Sequence, residues 1–315
     1  MARSNSTNLT VPDASMSHVA ASDRRSLLLN LIISLRPAQW TKNLLIFAAL
    51  VFAEKLFDVR SVALSVAAFA IFCALSGVVY LINDIADRRT DREHPLKRRR
   101  PIAAGTLPVP LAATAAGVIG MASLTAAFAL NWKLGLVAAG YVALQALYSG
   151  PLKHIVIIDV LALSIGFVLR AAAGAVVIDV VVSHWLFVCT ILLAMFIALA
   201  KRRHELVLLA DGAASHRPIL GEYSPYLLDQ MIGVVTASTL IAYIFYTISP
   251  ETAEKFGTDL LGLTIPFPLY GIFRYLYLVH RREGGGSPAE LLINDRPLLA
   301  CVMLWVAAVV LIIYA

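Results

Sequence analysis

Asn83, Asp84, Asp87 and Asp91 stand at one end of an otherwise apolar segment and are the first candidates for chemistry. On an α-helix they fall within roughly 100° of arc, and Tyr80 shares their face. Three carboxylates on one face repel one another unless a cation neutralises them. Hard oxygen donors in that pattern suit Mg2+, which a protein usually holds with one or two carboxylates while substrate phosphates supply the rest. The plainer reading is a solvated polar helix end. Immediately downstream runs Lys97-Arg98-Arg99-Arg100. Cations beside an acidic cluster suit a polyanion, with the metal on one face of a diphosphate and Lys/Arg on the other. They are equally what a cytoplasmic loop of a membrane protein carries.

Three further groups have the same ambiguity. Tyr148 and Lys153 precede Asp159 and Arg170, two charges inside an apolar stretch. Eleven residues apart, these charges lie near one helical face but three turns apart, so each needs a partner elsewhere or a wet cavity. Lys201, Arg202 and Glu205 close another apolar stretch, with Lys201 and Glu205 at the i,i+4 spacing of a surface ion pair. Gln39, Lys42 and Asn43 open the first apolar stretch beside Trp40, where they either anchor at the interface or turn inward. The histidines show no metal or catalytic spacing. Cys73, Cys189 and Cys301 lie in apolar surroundings and read as small fillers rather than a disulfide or zinc framework.

The elements that position these residues follow from composition. The chain has 315 residues, 59% of them hydrophobic and 15% charged, with a mean hydropathy of +0.79. A soluble domain is less apolar and more charged, so this is an all-α, polytopic membrane protein. The polar residues 1–25 read as a disordered cytoplasmic tail, and 26–315 as a single transmembrane domain. Residues 26–35 are too short to span and read as an interfacial helix. Nine spans are expected, at 43–57, 61–84, 108–130, 133–149, 155–179, 183–203, 225–248, 258–280 and 294–314. Of the 26 Lys and Arg, 20 fall on one side of that topology and four on the other. The basic side is cytoplasmic, and every candidate cluster gathers there. The net charge of +6 is thereby explained by topology, without nucleic acid. A transporter for an anionic metabolite would need ionisable residues in the outer halves of the spans, and few are present.

Taken together, these motifs resemble the UbiA superfamily of intramembrane prenyltransferases, over about residue 30 to the C-terminus. The Asn83-Asp84-x-x-Asp87-x-x-x-Asp91 pattern is similar to that superfamily's first Asp-rich motif, which implies Mg2+ held by Asn83, Asp84, Asp87 and Asp91 on a diphosphate, with Asp84 and Asp87 catalytic. The usual second motif has two Asp residues four apart; here Asp159 is followed by Leu163. RPAQWTKN (36–43), YLINDIADRRTDREHPLKRRRPIAAG (80–105), Tyr148 with Lys153, and KRRHEL (201–206) resemble the decaprenyl-phosphate phosphoribosyltransferase branch of bacterial cell-wall synthesis.

That resemblance implies transfer of 5-phosphoribosyl from phosphoribosyl pyrophosphate to a polyprenyl phosphate at a cavity on the cytoplasmic face of the bacterial inner membrane. Gln39, Lys42, Asn43, Tyr80, Asn83, Lys97, Arg98, Arg100, Tyr148, Lys153, Asp159, Arg170, Lys201, Arg202 and Glu205 are then the substrate-binding candidates. A second copy of the chain is an admissible partner. The alternative is a prenyltransferase that moves a polyprenyl chain from its diphosphate onto an aromatic acceptor; Leu163 and the dispersed cations fit it less well.

Overall fold

The computed structural model describes residues 26–95, 97–181, 184–209, 218–281, 291–292 and 294–315, and every regular element among them is helical. The long helices, in chain order, are α1 Val59–Ala86, α2 Val109–Leu130, α3 Trp132–Ser149, α4 Ile158–Val177, α5 His184–Leu209, α6 Pro225–Ile248, α7 Pro266–Arg281 and α8 Arg296–Tyr314. The expected tail, residues 1–25, lies outside the described residues. By length and composition α1, α2, α4, α6 and α8 can each cross a bilayer. They coincide with the expected spans 61–84, 108–130, 155–179, 225–248 and 294–314. The bent pair Pro250–Phe256 and Leu260–His280 would raise the count from five to six. The expected spans 133–149 and 183–203 correspond to α3 and α5, which are helical without meeting that criterion.

Two expected spans are built differently. Residues 43–57 do not form one α-helix. Pro37–Phe47 is a 3-10 helix, which passes into a short α-helix, Ala48–Phe52. A 3-10 run of that length is uncommon. Its position against α4 explains how the backbone comes so close: a methyl group on Gly174 would overlap the carbonyl oxygen of Ile46. The second exception, 258–280, is bent by 103°. Gly257 ends the short helix Pro250–Phe256 in the left-handed region, and Pro266 starts α7 afresh.

Local chemistry sets the helix starts. Asp58 accepts from the backbone N–H groups of Arg60 and Ser61 at the head of α1. Asn131 ends α2 and caps α3, and its amide also donates to the Val176 carbonyl in α4. Ser224 and Asp295 cap α6 and α8. Residues 26–34 are helical and lie across the adjoining ends of α1 and α2. There Leu31 and Leu35 pack on Val78, Leu81, Ile102 and Leu107, while Leu28, Leu29, Ile32 and Ile33 face outward.

Two apolar cores flank α4. One joins Ile46 and Leu50 to α1, α3 and α4 through Phe72, Tyr141 and Ala173. The other joins α5, α6 and α7 through Phe196, Leu199, Leu228 and Tyr275. In α4 61% of the apolar window is buried, against 22% in α2 and α8, so α4 is central and the other two form the rim. The polar candidates therefore hang on the ends of helices packed around α4.

Candidate active site

The acidic motif does not lie on one continuous helical face. α1 stops at Ala86, Asp87 forms the break, and Arg88–Glu93 is a separate short helix. Asp84 and Asp91 turn inward and are 2% exposed, while Asp87 is exposed and Asn83 half-buried. The two buried carboxylates meet at Arg100: its Nη1 lies 3.2 Å from Asp84 Oδ1 and 2.6 Å from Asp91 Oδ2. Arg36 Nη2 donates to the same Asp84 oxygen at 2.5 Å, and its guanidinium lies 4.6 Å over the Tyr80 ring. Arg36 has a left-handed backbone (φ 53°) before Pro37, a costly conformation for a residue with a Cβ.

The mutual repulsion expected of this motif is thus relieved by two guanidinium groups. Among the described residues no three His, Cys, Asp or Glu side chains converge. The expected set Asn83, Asp84, Asp87 and Asp91 reduces to one carboxylate pair because the helix breaks at Asp87. Asp91 is half of that pair, and the exposed Asp87 lies outside it. The pair still fits Mg2+, since two carboxylates aimed at one point are the share a protein contributes when phosphates supply the remaining ligands.

A second group assembles at the start of α4. Asp159 is fully buried and Arg202 is 1% exposed. Arg202 Nε donates to Asp159 Oδ2 at 2.8 Å, its Nη1 to Glu205 at 2.9 Å and its Nη2 to the Tyr148 hydroxyl at 3.1 Å. Tyr223 donates to the other Asp159 oxygen at 2.9 Å and accepts from the Ile157 N–H at 2.7 Å. Burial pushes the Tyr223 phenol up to about 12, so it remains a donor at neutral pH. Ile157 has φ 68°, a strained value for a β-branched residue, and that contact holds it. Lys201 lies 3.8 Å from Glu205, as the i,i+4 spacing predicts. Lys153 is half-buried on the short turn Leu152–His154.

Asp159 and Arg170, near one face of α4, have different partners. Arg170 is buried three turns deeper, where all its partners are neutral. Its Nε donates to Asn43 Oδ1 at 2.7 Å, Nη1 to the Gly166 carbonyl at 2.9 Å and Nη2 to the Tyr141 hydroxyl at 2.9 Å. Asn43 is fully buried and reaches Ser76 with its amide at 3.4 Å. Lys42 sits beside this excess positive charge. Burial first, then Arg170 and Arg36, pull its ammonium down to about 8. Gln39 is half-buried on the same 3-10 turn, whereas Lys97 and Arg98 are exposed.

The structure therefore gathers the candidates into two charged groups, with Asn43, Lys42 and Arg170 forming a third, unbalanced one. Arg36, Tyr141 and Tyr223 complete these groups and were not among the sequence candidates. Only Arg36 offered a signal, as a cation just before Pro37 in a polar run. Two depressions, of about 700 and 330 Å3, lie along Gly117, Met121 and Thr125 of α2 and against Ala49, Ala175 and Lys255. At the candidate site, guanidinium groups fill the space between the carboxylates.

Residues 43–294 match the model of the UbiA prenyltransferase family. The chain is 34% identical over 303 residues to decaprenyl-phosphate phosphoribosyltransferase of Mycolicibacterium smegmatis, covering 92% of this chain and 94% of the relative. It is also 34% identical over 294 residues to the protein of that name from Corynebacterium glutamicum, covering 90% and 86%. Among solved structures, a UbiA homologue from Archaeoglobus fulgidus bound to GPP and Mg2+ superposes with a TM-score of 0.68 at 21% identity, covering 91% of this chain and all of that one.

Proposed function

The chain belongs to the UbiA prenyltransferase family, and from that premise we propose that it transfers 5-phosphoribosyl from phosphoribosyl pyrophosphate to a polyprenyl phosphate of the decaprenyl type, releasing diphosphate. The observation that carries this reading is the 34% identity, over nearly the whole of both chains, to a decaprenyl-phosphate phosphoribosyltransferase. The site chemistry supports it. The donor has a diphosphate at C1 and a phosphate at C5, so it needs cations at separated places; cations stand at Lys42, Arg100, Lys153 and Lys201 on four segments.

In the reaction an oxygen of the acceptor phosphate forms a bond to ribose C1 as the bond from C1 to the diphosphate oxygen breaks, and the diphosphate leaves with the electron pair. The acceptor phosphate is ionised at neutral pH, so no side chain need remove its proton. Mg2+ on the diphosphate would neutralise charge developing on the leaving group. Asp84 and Asp91 would hold it, with Asp87 and Asn83 close by. Lys42, Lys97, Arg98 and Arg100 would take the remaining phosphate oxygens.

Lys153 and Lys201 would bind phosphate opposite the acidic pair. Asp159, Tyr148 and Glu205 hold Arg202 in place there, Tyr223 holds Asp159, and Arg170 holds Asn43. Tyr80 and Gln39 line the approach. The site would face the cytoplasm of a bacterial inner membrane, in synthesis of a lipid-linked cell-wall precursor, with the acceptor's tail among the helices.

The test is transfer of label from phosphoribosyl pyrophosphate to a polyprenyl phosphate, beside a prenyl diphosphate control with aromatic acceptors. Transfer is expected only in the first, and Asp84→Asn and Asp91→Asn should each abolish this Mg2+-dependent turnover. Activity confined to the control would refute the reading.

A further inference from the structure

We propose that Arg36 and Arg100 are built-in counter-ions of the acidic pair, which leave it for donor phosphates, so that a divalent cation and a diphosphate enter as a unit rather than in sequence. This rests on reading Asp84 and Asp91 as the metal side of a diphosphate site. Two buried carboxylates and two guanidinium groups sum to zero formal charge. A divalent ion entering alone would face two cations already bonded to the oxygens it needs: Asp84 Oδ1 carries both arginines, at 2.5 and 3.2 Å. Like charges at that range repel strongly even in a partly wet environment.

A metal diphosphate changes the balance. It brings more negative charge than the metal brings positive. It also offers each displaced guanidinium a planar pair of phosphate oxygens in place of the carboxylate. The accessibility of the four side chains is asymmetric in the required sense. Asp84 and Asp91 are 3% exposed at the side chain, whereas Arg36 and Arg100 are both 28% exposed. The acids are fixed and the guanidinium groups lie at the rim, free to swing outward without crossing a core. Arg100 follows the exposed turn Lys97–Arg99 and has an extended backbone (φ −63°, ψ 140°) before Pro101. Arg36 lies at the strained joint between two helical segments.

The experiment measures Mn2+ retained by the full purified chain on ultrafiltration, with and without inorganic pyrophosphate. Wild type should retain Mn2+ weakly alone and markedly better with pyrophosphate. Arg100→Gln should bind Mn2+ alone at least about tenfold more tightly than wild type, and pyrophosphate should add less. Mn2+ alone should also raise the thermal midpoint of Arg100→Gln but not that of wild type. Should Arg100→Gln fail to fold, Arg36→Gln, which unburdens Asp84 alone, should show the same gain on a smaller scale. Equal Mn2+ affinity of wild type and both variants without pyrophosphate would overturn the inference and leave phosphoribosyl transfer standing. No retained Mn2+ in any form, even with pyrophosphate, would overturn it together with the metal assignment.

Discussion

Asp159→Asn removes one charge from a pair that is almost wholly out of water, and its effect can be worked from the contacts. The carboxylate lies 2.8 Å from Arg202 Nε and accepts a second bond from Tyr223. At an effective dielectric constant near 20, two unit charges about 4 Å apart attract by about 4 kcal/mol. Asn preserves the shape of the side chain and part of the hydrogen bonding. Arg202 also keeps Glu205, a partner 24% exposed at the side chain. The expected loss is therefore near the lower end of that for breaking a buried pair, about 3 kcal/mol, or somewhat over a hundredfold in the folding equilibrium.

Arg202→Gln should cost a similar amount. The double variant should be at least about 1.5 kcal/mol more stable than the sum of the two losses, because neither partner then leaves an uncompensated charge behind. Tyr223→Phe, which removes both the bond to the charged Asp159 and the one accepted from the Ile157 N–H, should cost at least about 1.5–3 kcal/mol. Unfolding of the detergent-solubilised protein by SDS titration gives all four values. Strict additivity of Asp159→Asn and Arg202→Gln would refute the claim that the pair acts as a unit.

The ammonium of Lys42, held near pH 8, is charged below that pH and neutral above it. An anionic ligand favours the charged form, so apparent donor affinity should fall by about tenfold per pH unit above 8, and Lys42→Arg should remove the inflection in a pH titration of KM. Gly174→Ala places a methyl group against the Ile46 carbonyl and should destabilise the chain by about 1–3 kcal/mol through a backbone shift; an unchanged SDS midpoint would show that the contact relaxes freely. Cysteines introduced beside Arg98 and Arg203 should resist membrane-impermeant reagents added outside intact cells, and strong external labelling at either would invert the topology.

The fold was legible where apolar length alone decides it. α1, α2, α4, α6 and α8 are long, predominantly apolar runs; Asp58, Ser224 and Asp295 are recognisable caps at the starts of α1, α6 and α8, and Asn131 separates α2 from α3. It was less legible at 43–57 and 258–280, where hydropathy is blind to backbone winding and to a proline-made bend. The candidate residues stood out as a set of types, because charges that close apolar helices are few. Their pairing did not. Helical geometry puts Asp84, Asp87 and Asp91 on one face only while the helix continues, and no rule of spacing reveals that it stops at Ala86. Arg100 and Tyr223 reach their partners from connecting segments, so the contacts Arg100–Asp84 and Tyr223–Asp159 span separations that no periodicity encodes.

α4 carries a carboxylate at its first turn and a guanidinium three turns on, and the ribosome makes their partners at different times. When Arg170 enters the bilayer, Asn43 and Tyr141 have already been synthesised and can receive it. Asp159 must wait for Arg202 and Tyr223. A lone charge near the middle of an inserting helix is disfavoured by about 2.5–3.5 kcal/mol, and less near its end. The amino-terminal helices can thus close around the deep end of α4 during translation, while the end that carries Asp159 waits until α5 and the segment before α6 have been made. Vectorial synthesis thereby orders the assembly, the deep charge being sheltered first and the shallow one last.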